Sequence, residues 1–320
     1  MTQHAQLQPV DVQPGTPDLS VVITIVSGAK HLKSCLAELL EQVKDINAGI
    51  EIIVPFDETN RAIARLMPAF PAVGFYAMRM SVADETGKCH EHFDEFRAAG
   101  LQQAGGRIVA LLEDHEKPAS DWCRKILEAH RMPHAAVGGA VENGVDRVLN
   151  WAACFFDFGR YQNPVSEGPS TFLTDVNVAY KQEALEEIRQ VWEDGFHEPA
   201  VHAALLEQGK TLWLSPDIIV YQNRVGLGFV EACREKFIWG RYFSGNRVEG
   251  TGLPVRMVYC VYSLAVPAII LAKMSVNALK KRRLLGAFIK SLPASILLIM
   301  SWSAGELTGY LTGRKSRFSG

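Results

Sequence analysis

Short apolar runs that alternate with helical patterns shape the first third of this 320-residue chain. The runs are β-branched and nearly free of polar residues, which is typical of strands buried on both faces of a sheet. They cover residues 19–26, 50–54, 73–78 and 107–112. An amphipathic helical stripe follows the first run, and a further predicted helix at residues 93–104 ends at a Gly-Gly pair. This alternation predicts βαβ units and an α/β fold with a mostly parallel sheet flanked by helices.

The overall composition narrows the range of partners. The chain is 48% hydrophobic and 21% charged, an ordinary globular balance, and its net charge of -2 argues against a nucleic-acid partner. Its six cysteines are scattered without a C-x-x-C pair, which indicates reduced thiols in a reducing compartment. Residues 1–18 are polar and rich in proline, so we predict a flexible lead-in and not a secretory signal.

The fourth apolar run leads directly into polar residues, in the stretch "RIVALLEDHEKPASDW". Glu113, Asp114 and His115 follow the run at the predicted carboxyl end of its strand. Ligands of open α/β sheets bind beyond the carboxyl ends of the strands. The sequence therefore predicts a ligand site at Glu113, Asp114 and His115.

The character of the sequence changes after about Gly226, and two apolar runs follow at residues 257–272 and 284–311. Each run contains a proline and falls short of the ~20 apolar residues that a spanning helix needs. Basic residues flank both runs and separate them at residues 280–283. A two-span hairpin would place that basic cluster opposite the N-terminal domain, against the positive-inside tendency.

We therefore favour helices that lie in the membrane interface, or dip in and out of it on one side, over residues 255–313. A two-span hairpin and a soluble helical subdomain remain as alternatives. Together these observations predict three regions: the lead-in at 1–18, an α/β domain at 19–225, and a helical, membrane-associated region at 226–320.

The order of several segments resembles family 2 glycosyltransferases with a GT-A fold. The segments are "LSVVITIV", "EIIVPFDETN", "FRAAGLQQAGGRIVALLEDHEKPASDW", "NVAYKQEAL" and "FHEPAVHAALLEQGKTLWLSPDIIV". The resemblance covers residues 19–222 and implies transfer of a sugar from a nucleotide-diphosphate donor, usually with inversion and a divalent metal. The tail also resembles bacterial members that carry membrane-associated C-terminal helices.

On the donor side, the resemblance assigns Asp57 to the nucleotide base and Arg97 to the donor phosphate. In the family's "ARNxGL" segment, Ala98 replaces the asparagine here. The family's D-x-D motif falls on Glu113, Asp114 and His115, which implies donor binding by both acids and a metal held by Asp114 and His115. Imidazole suits Mn²⁺ better than Mg²⁺, so the histidine slightly favours Mn²⁺ over Mg²⁺.

On the acceptor side, the family's catalytic acid falls on Glu198, the predicted general base, with Asp194 as an alternative. His202 lies four residues after Glu198, on the same predicted helical face, where it would orient the base or touch the diphosphate. Asn177, which fits the family pattern better than Asp175, is expected on the acceptor side of the sugar.

Taken together, the resemblance implies a metal-dependent inverting glycosyltransferase at the cytoplasmic membrane face, with a lipid-linked or glycan acceptor. The missing asparagine and the altered D-x-D motif leave open a catalytically weak relative that serves as a membrane-bound binding or assembly subunit. A nucleotidyltransferase would bring a glycine-rich phosphate loop after the first strand, and the segment "SGAKHLK" has only one glycine.

Overall fold

The computed structural model of the chain describes residues 15–79 and 92–313. The chain divides into two compact units: the first comprises Met1–Val141 and Val165–Tyr221, and the second comprises Glu142–Pro164 and Gln222–Gly320. The second unit thus includes Glu142–Pro164, which the sequence analysis placed in the N-terminal domain. Most of the predicted lead-in, up to residue 14, lies outside the described residues.

The first unit is built on a nine-stranded sheet, which confirms the predicted α/β fold. Its strands are β1 (Leu19–Thr24), β2 (Ile50–Asp57), β3 (Gly74–Met78), β4 (Ile108–Glu113), β5 (Glu116–Pro118), β6 (Ala136–Asn143), β7 (Gly168–Ser170), β8 (Val178–Lys181) and β9 (Leu212–Gln222). Their order is β3-β2-β1-β4-β8-β6-β9-β5, with β7 paired to β9. The first four strands are parallel, whereas β8 runs antiparallel to both β4 and β6.

The register of the parallel strands decides where the site forms. Thr24 at the end of β1 pairs with Glu113 at the end of β4, and the neighbouring strand β2 ends at Asp57. Because these strands are parallel, their carboxyl ends lie along one edge of the sheet. The sheet therefore brings Asp57 and Glu113 to the same edge, although 56 positions separate them in the sequence.

Helices cover this sheet. Those of the first unit are α1 (Ala29–Lys44), α2 (Arg61–Leu66), α3 (Phe93–Gln103), α4 (Trp122–Ala129), α6 (Gln182–Glu186), α7 (Arg189–Trp192) and α8 (Glu198–Glu207). Helix α3 packs closely on β1, since a Cβ atom added at Gly100 would lie 2.2 Å from Val22 Cγ1. Glycine thus permits this approach, and Arg97 lies one turn earlier on the same helix.

The second unit is helical. It contains α5 (Val148–Phe158), α9 (Phe229–Arg247), α10 (Leu253–Ser263), α11 (Val266–Lys280) and α12 (Leu285–Thr312). The first predicted apolar run is broken between α10 and α11, which are bent by 48°. The second run forms one continuous helix of 28 residues that includes Pro293. Our estimate that this run is too short to span a membrane was wrong, because neither the proline nor the charged residues interrupt the helix.

Small residues bring α9 and α12 together. A Cβ atom added at Gly305 would lie 1.9 Å from the carbonyl oxygen of Phe237, and one at Gly240 would lie 2.2 Å from that of Trp302. Such glycines let helix backbones approach closely, as in small-xxx-small interfaces. The buried carboxylate of Glu306 lies in this region, where it accepts hydrogen bonds from Tyr310 Oη at 2.9 Å and Trp302 Nε1 at 3.2 Å.

The basic cluster at residues 280–283 is partly built into the second unit. Lys281 is buried, and its ammonium group donates to the carbonyl oxygens of Gly159, Arg160 and Gln162. Arg283 forms an ion pair with Glu142. Half of the cluster therefore fixes the Glu142–Pro164 segment onto the C-terminal helices.

Candidate active site

Asp114 holds the turn between β1 and α1. Its carboxylate accepts hydrogen bonds from the backbone N–H groups of Val26, Ser27 and Gly28 at 2.7–3.0 Å, and the residue is 0% exposed. Gly28 has a φ of +94°, a conformation that favours glycine, and this lets the turn fold over the carboxylate. Both oxygens of Asp114 are thus engaged by the backbone. The assignment of Asp114 to donor and metal binding stays a prediction, and in this structure its carboxylate is held by the backbone of the turn.

Glu113 and His115 lie together on either side of Asp114. Glu113 Oε2 lies 3.5 Å from His115 Nε2, while Glu113 Oε1 accepts a hydrogen bond from Arg97 at 2.9 Å. His115 Nδ1 lies 3.3 Å from Ser27 Oγ. Burial raises the pKa of Glu113, and the neighbouring His115 and Arg97 side chains only partly offset this effect. His115 thus lies beside both carboxylates of the motif, since its Nδ1 atom is also 3.4 Å from Asp114 Oδ1.

Arg97 is the centre of an ionic network. It is 4% exposed, and it donates to Glu113 and to Asp175 Oδ2, the latter at 2.5 Å. Burial alone would lower the pKa of Arg97, but the carboxylates of Asp175 and Glu113 raise it above its ordinary value. The guanidinium group is therefore permanently charged and already paired. The predicted contact of Arg97 with the donor phosphate stays a prediction, and in this structure the guanidinium group is paired with Glu113 and Asp175.

Glu198 is the first residue of α8, and Pro199 follows it in the first turn. Its carboxylate accepts a hydrogen bond from the backbone N–H of Asp175, and its buried Oε1 atom finds no partner among the described residues. Burial, reinforced by the charge of Asp175, raises the pKa of Glu198 well above the usual carboxyl value. Asp194, the alternative base, is exposed on the bend before α8. The structure thus brings Glu198, and not Asp194, into the Arg97 network.

Asp57 ends β2 and is 2% exposed. Its Oδ1 atom accepts from the backbone N–H and the hydroxyl of Thr59 at 2.7 and 2.5 Å. Its Oδ2 atom is buried without a hydrogen-bond partner among the residues that the structure describes. A buried carboxylate oxygen in this state is poised to accept a hydrogen bond from a ligand.

Two further predicted residues are used by the fold. The amide of Asn177 donates to the carbonyl oxygens of Ala140 and Ile218 and accepts from Trp122 Nε1, all within 2.8–3.0 Å. His202 Nε2 lies 2.8 Å from Tyr180 Oη, and burial lowers the pKa of His202 to about 4, so the ring is neutral. Both side chains are therefore buried and paired with the protein, and their acceptor-side assignments stay predictions.

Asp175 and Asp94 complete the site, and neither was among the residues that we predicted to act. Asp175 precedes β8 and contacts both Arg97 and Glu198. Asp94 lies on α3, and burial is the main reason that its pKa is raised to about 6. The "TDVNVAY" stretch did point to Asp175, but Asn177 fitted the family pattern better, so Asn177 was the residue that we predicted. Among the described residues, no three His, Cys, Asp or Glu side chains are placed to hold one metal ion together.

Comparison with known proteins decides the family. The family model described as "Glycosyl transferase family 2" matches residues 20–189, more than half of the chain. The chain belongs to glycosyl transferase family 2. In this family 2 member the matched region includes Asp57, Arg97, Asp175 and the E-D-H motif, whereas Glu198 lies beyond its end. A comparison with curated proteins gives no significant match.

Solved structures support the same fold. One match is the mannosyltransferase PcManGT from Pyrobaculum calidifontis in complex with GDP-Man and Mn²⁺, with a TM-score of 0.52. It is 15% identical in sequence, and the alignment covers 94% of this chain and 90% of that one. At this identity the likeness establishes the fold alone. This structural match confirms the GT-A fold that the sequence segments indicated.

We expect the Asp94→Asn variant to gain stability relative to the wild type as the pH rises. The pKa of Asp94 is raised to about 6 in the folded protein, whereas an unfolded aspartate titrates near ~4. Between these values the folded wild type binds the extra proton, so its stability falls as the pH rises through the window. The variant with neutral asparagine does not lose stability in this way.

The measurement is the melting temperature of both proteins from pH 4.5 to 7.5. The difference should shift by roughly 2–4 °C in favour of the variant. Glu207→Gln, which alters an exposed carboxyl on α8, is the control and should show no such trend. A constant difference between Asp94→Asn and wild type would contradict the assignment.

Proposed function

We propose that this protein transfers a sugar from a nucleoside-diphosphate donor to an acceptor hydroxyl with inversion at the anomeric carbon, and that Glu198 is the general base. The observation that carries this proposal is the buried, unpaired Oε1 atom of Glu198 at the start of α8. Its raised pKa suits a group that must take up a proton near neutral pH. Membership of glycosyl transferase family 2 supplies the reaction class.

The chemistry is a single displacement. Glu198 takes the proton of the acceptor hydroxyl as the hydroxyl oxygen forms a bond to the anomeric carbon. The bond from that carbon to the donor's phosphate oxygen breaks, and the nucleoside diphosphate leaves with the electron pair. Because attack and departure occur on opposite faces of the carbon, the configuration inverts. The base activates one nucleophile in one step, so no covalent sugar intermediate on the protein is needed.

Asp57 supplies the contact to the donor base in this proposal. Its unpaired Oδ2 atom is an acceptor, so it favours a base that presents an N–H donor, as the imino groups of uracil and guanine do. The corresponding ring nitrogens of cytosine and adenine are acceptors and would face the carboxylate unfavourably. Cytosine and adenine can donate only through their exocyclic amino groups, so we favour a uridine or guanosine diphospho-sugar as the donor. A GDP-mannose complex of the similar mannosyltransferase fits this range.

A divalent cation, Mn²⁺ or Mg²⁺, fits beside Glu113 and His115. An oxygen and a nitrogen ligand 3.5 Å apart form part of such a site, and ions of this type commonly complete their shell with substrate phosphates and water. When bound, the ion would neutralise the charge that develops on the departing diphosphate. Asp114, the other predicted ligand, accepts backbone hydrogen bonds in this structure, so Glu113 and His115 are the side chains that we propose for this role. The Mn²⁺ of the similar mannosyltransferase supports the proposal without establishing it.

The second unit supports a membrane location. Its helix Arg282–Thr312 is the one described helix long and apolar enough to cross a membrane by itself, and its most apolar stretch is only 33% buried. Ile289, Ile296 and Met300 are exposed and recur at spacings of seven and four, so they lie on one face. The opposite face packs on α9 through Gly305 and Gly309.

A helix with one face on protein and an apolar face exposed fits a position in the membrane interface. Helix α9 carries Arg234, Lys236 and Arg241, and it would be carried into the bilayer if α12 crossed. We therefore propose a monotopic protein on the cytoplasmic face, where nucleotide sugars occur, with a lipid-linked or glycan acceptor. A two-span arrangement is the alternative that the extraction experiment below would reveal.

A second candidate function has its own support. The carboxylates around Arg97 are mutually paired, and Asp114 is withdrawn from the motif that gives the family its metal site. A relative that binds a nucleotide sugar without transferring it would be compatible with this arrangement. Such a protein would act as a membrane-bound binding or assembly subunit.

Replacing Glu198 by glutamine separates the two functions. We expect Glu198→Gln to lower kcat at least ~100-fold with little change in donor affinity, because general base catalysis typically contributes 10²–10⁴-fold. Asp194→Asn, on the exposed bend, is the matched control and should keep wild-type turnover. Transfer or donor hydrolysis is measured with Mn²⁺ and UDP- or GDP-sugars. Equal turnover by Glu198→Gln and wild type would refute the base, and no turnover by wild type with any donor would favour the binding subunit.

The donor proposal predicts a nucleotide-selective rise in melting temperature. UDP or GDP with Mn²⁺ should stabilise the wild type, since a ligand that binds only the folded state raises its stability. ADP and CDP should have a weaker effect. Asp57→Asn should lose the preference for UDP or GDP, because an amide can orient either an acceptor or a donor toward the base. Omission of Mn²⁺, with EDTA present, should reduce the shift, and equal shifts for all four nucleotides would contradict the role of Asp57.

The membrane proposal predicts that charges on the exposed face of α12 release the protein. We expect Ile296→Glu combined with Met300→Glu to move the protein from the membrane to the soluble fraction. Met132→Glu, at an exposed position of the first unit, is the control and should not change the distribution between the two fractions. Carbonate should extract wild-type protein that lies in the interface only. Resistance to carbonate would indicate a span, and an unchanged distribution of the double variant would contradict the proposed surface.

A further inference from the structure

Asp175 is connected to both halves of the site. Its Oδ2 atom binds Arg97 Nη1 at 2.5 Å, and its backbone N–H donates a hydrogen bond to the carboxylate of Glu198. Arg97 in turn holds Glu113 at the end of β4 with a 2.9 Å hydrogen bond. One ion pair thus links the start of α8 to the carboxyl edge of the sheet.

Charged groups face Glu198 from each element around it. Helix α3 presents Arg97 and Asp94, and the turn before β8 presents Asp175. On its own helix, the neutral ring of His202 lies one turn further on, against Tyr180, and His197 precedes Glu198 in the sequence. The two charges with the largest effect on Glu198, those of Asp175 and Arg97, are therefore opposite in sign and bound to each other.

We propose that the Arg97–Asp175 ion pair positions Glu198 and sets the pH at which this base accepts a proton. The proposal rests on the function assigned to Glu198 above and adds two positioning residues to it. Neither residue needs to touch the substrate, since both act through the carboxylate of Glu198. The pair is mostly shielded from solvent, because the side chain of Arg97 is 5% exposed and that of Asp175 is 22% exposed.

The two members of the pair act on Glu198 with opposite signs. After burial, the negative charge of Asp175 is the largest factor that raises the pKa of Glu198, and the positive charge of Arg97 is the largest that lowers it. Removing only the negative partner therefore favours the ionised base. Removing only the positive partner favours the protonated form. A purely structural role would instead predict that both losses change Glu198 in the same direction.

Direct titration of Glu198 tests this proposal without any substrate. Side-chain ¹³C NMR of the full chain, labelled at glutamate, follows the Glu198 carboxyl, and its signal is assigned by its absence in Glu198→Gln. We expect Asp175→Asn to lower the pKa of Glu198 by about one unit and Arg97→Gln to raise it by about one unit. Arg97→Lys keeps the charge and should stay close to wild type. The Arg97→Gln/Asp175→Asn double variant should lie between the two single variants.

The acid limb of the pH profile of kcat/KM should move in the same opposite directions for the active variants. Shifts of both single variants in one direction, or no shift in either, would overturn the proposal. If Arg97→Gln fails to fold, because it leaves buried carboxylates uncompensated, the downward shift in Asp175→Asn and the near-neutral effect of Arg97→Lys still decide it. The titration needs no turnover, so its failure is distinct from a failure of the proposed transferase function.

Discussion

The hydrogen bonds that Asp114 accepts from three successive backbone amides govern the geometry of the site. They tie the end of β4 to the turn after β1, two strands that are already in register at Thr24 and Glu113. With Asp114 committed to that turn, the residues before and after it are left to meet Arg97 and each other. The middle acid of the altered motif therefore fixes the turn, while Glu113 contacts Arg97 and His115.

That arrangement gives the site a particular electrostatic character. One buried guanidinium group faces the carboxylates of Glu113 and Asp175, with Asp94 and Glu198 within its field. The cluster holds more acid than base, so protons or cations are needed to offset the excess. A histidine in place of the family's last acid reduces that excess, because a neutral imidazole binds a metal without adding charge. The departure from the usual motif thus changes the charge of the site more than its shape.

Much of the first unit could be predicted from the sequence, and the reasons are local. Buried strands follow from the short apolar runs, and the helix after the first strand follows from its amphipathic period. The roles of Asp114 and Asn177 could not be predicted, because they depend on backbone groups that come from distant segments. The same holds for Arg97: a helical arginine shows nothing in sequence of the two carboxylates that the fold brings to it. In the second unit, the proline and charges within α12 suggested a break, yet packing against α9 accommodates a continuous helix.

The carbonyl cage around Lys281 changes how strongly this protein can respond to acidic lipids. Four consecutive basic residues suggest a polybasic anchor, and each Lys or Arg close to an anionic leaflet contributes about 1 kcal/mol of attraction. Lys281 donates hydrogen bonds to three backbone oxygens, and Arg283 is paired with Glu142. Lys280 and Arg282 are exposed to solvent. Adhesion through this cluster is therefore worth about half of what its composition suggests. In the proposed membrane location, binding would therefore depend only weakly on ionic strength, and apolar contact would contribute more than electrostatic attraction.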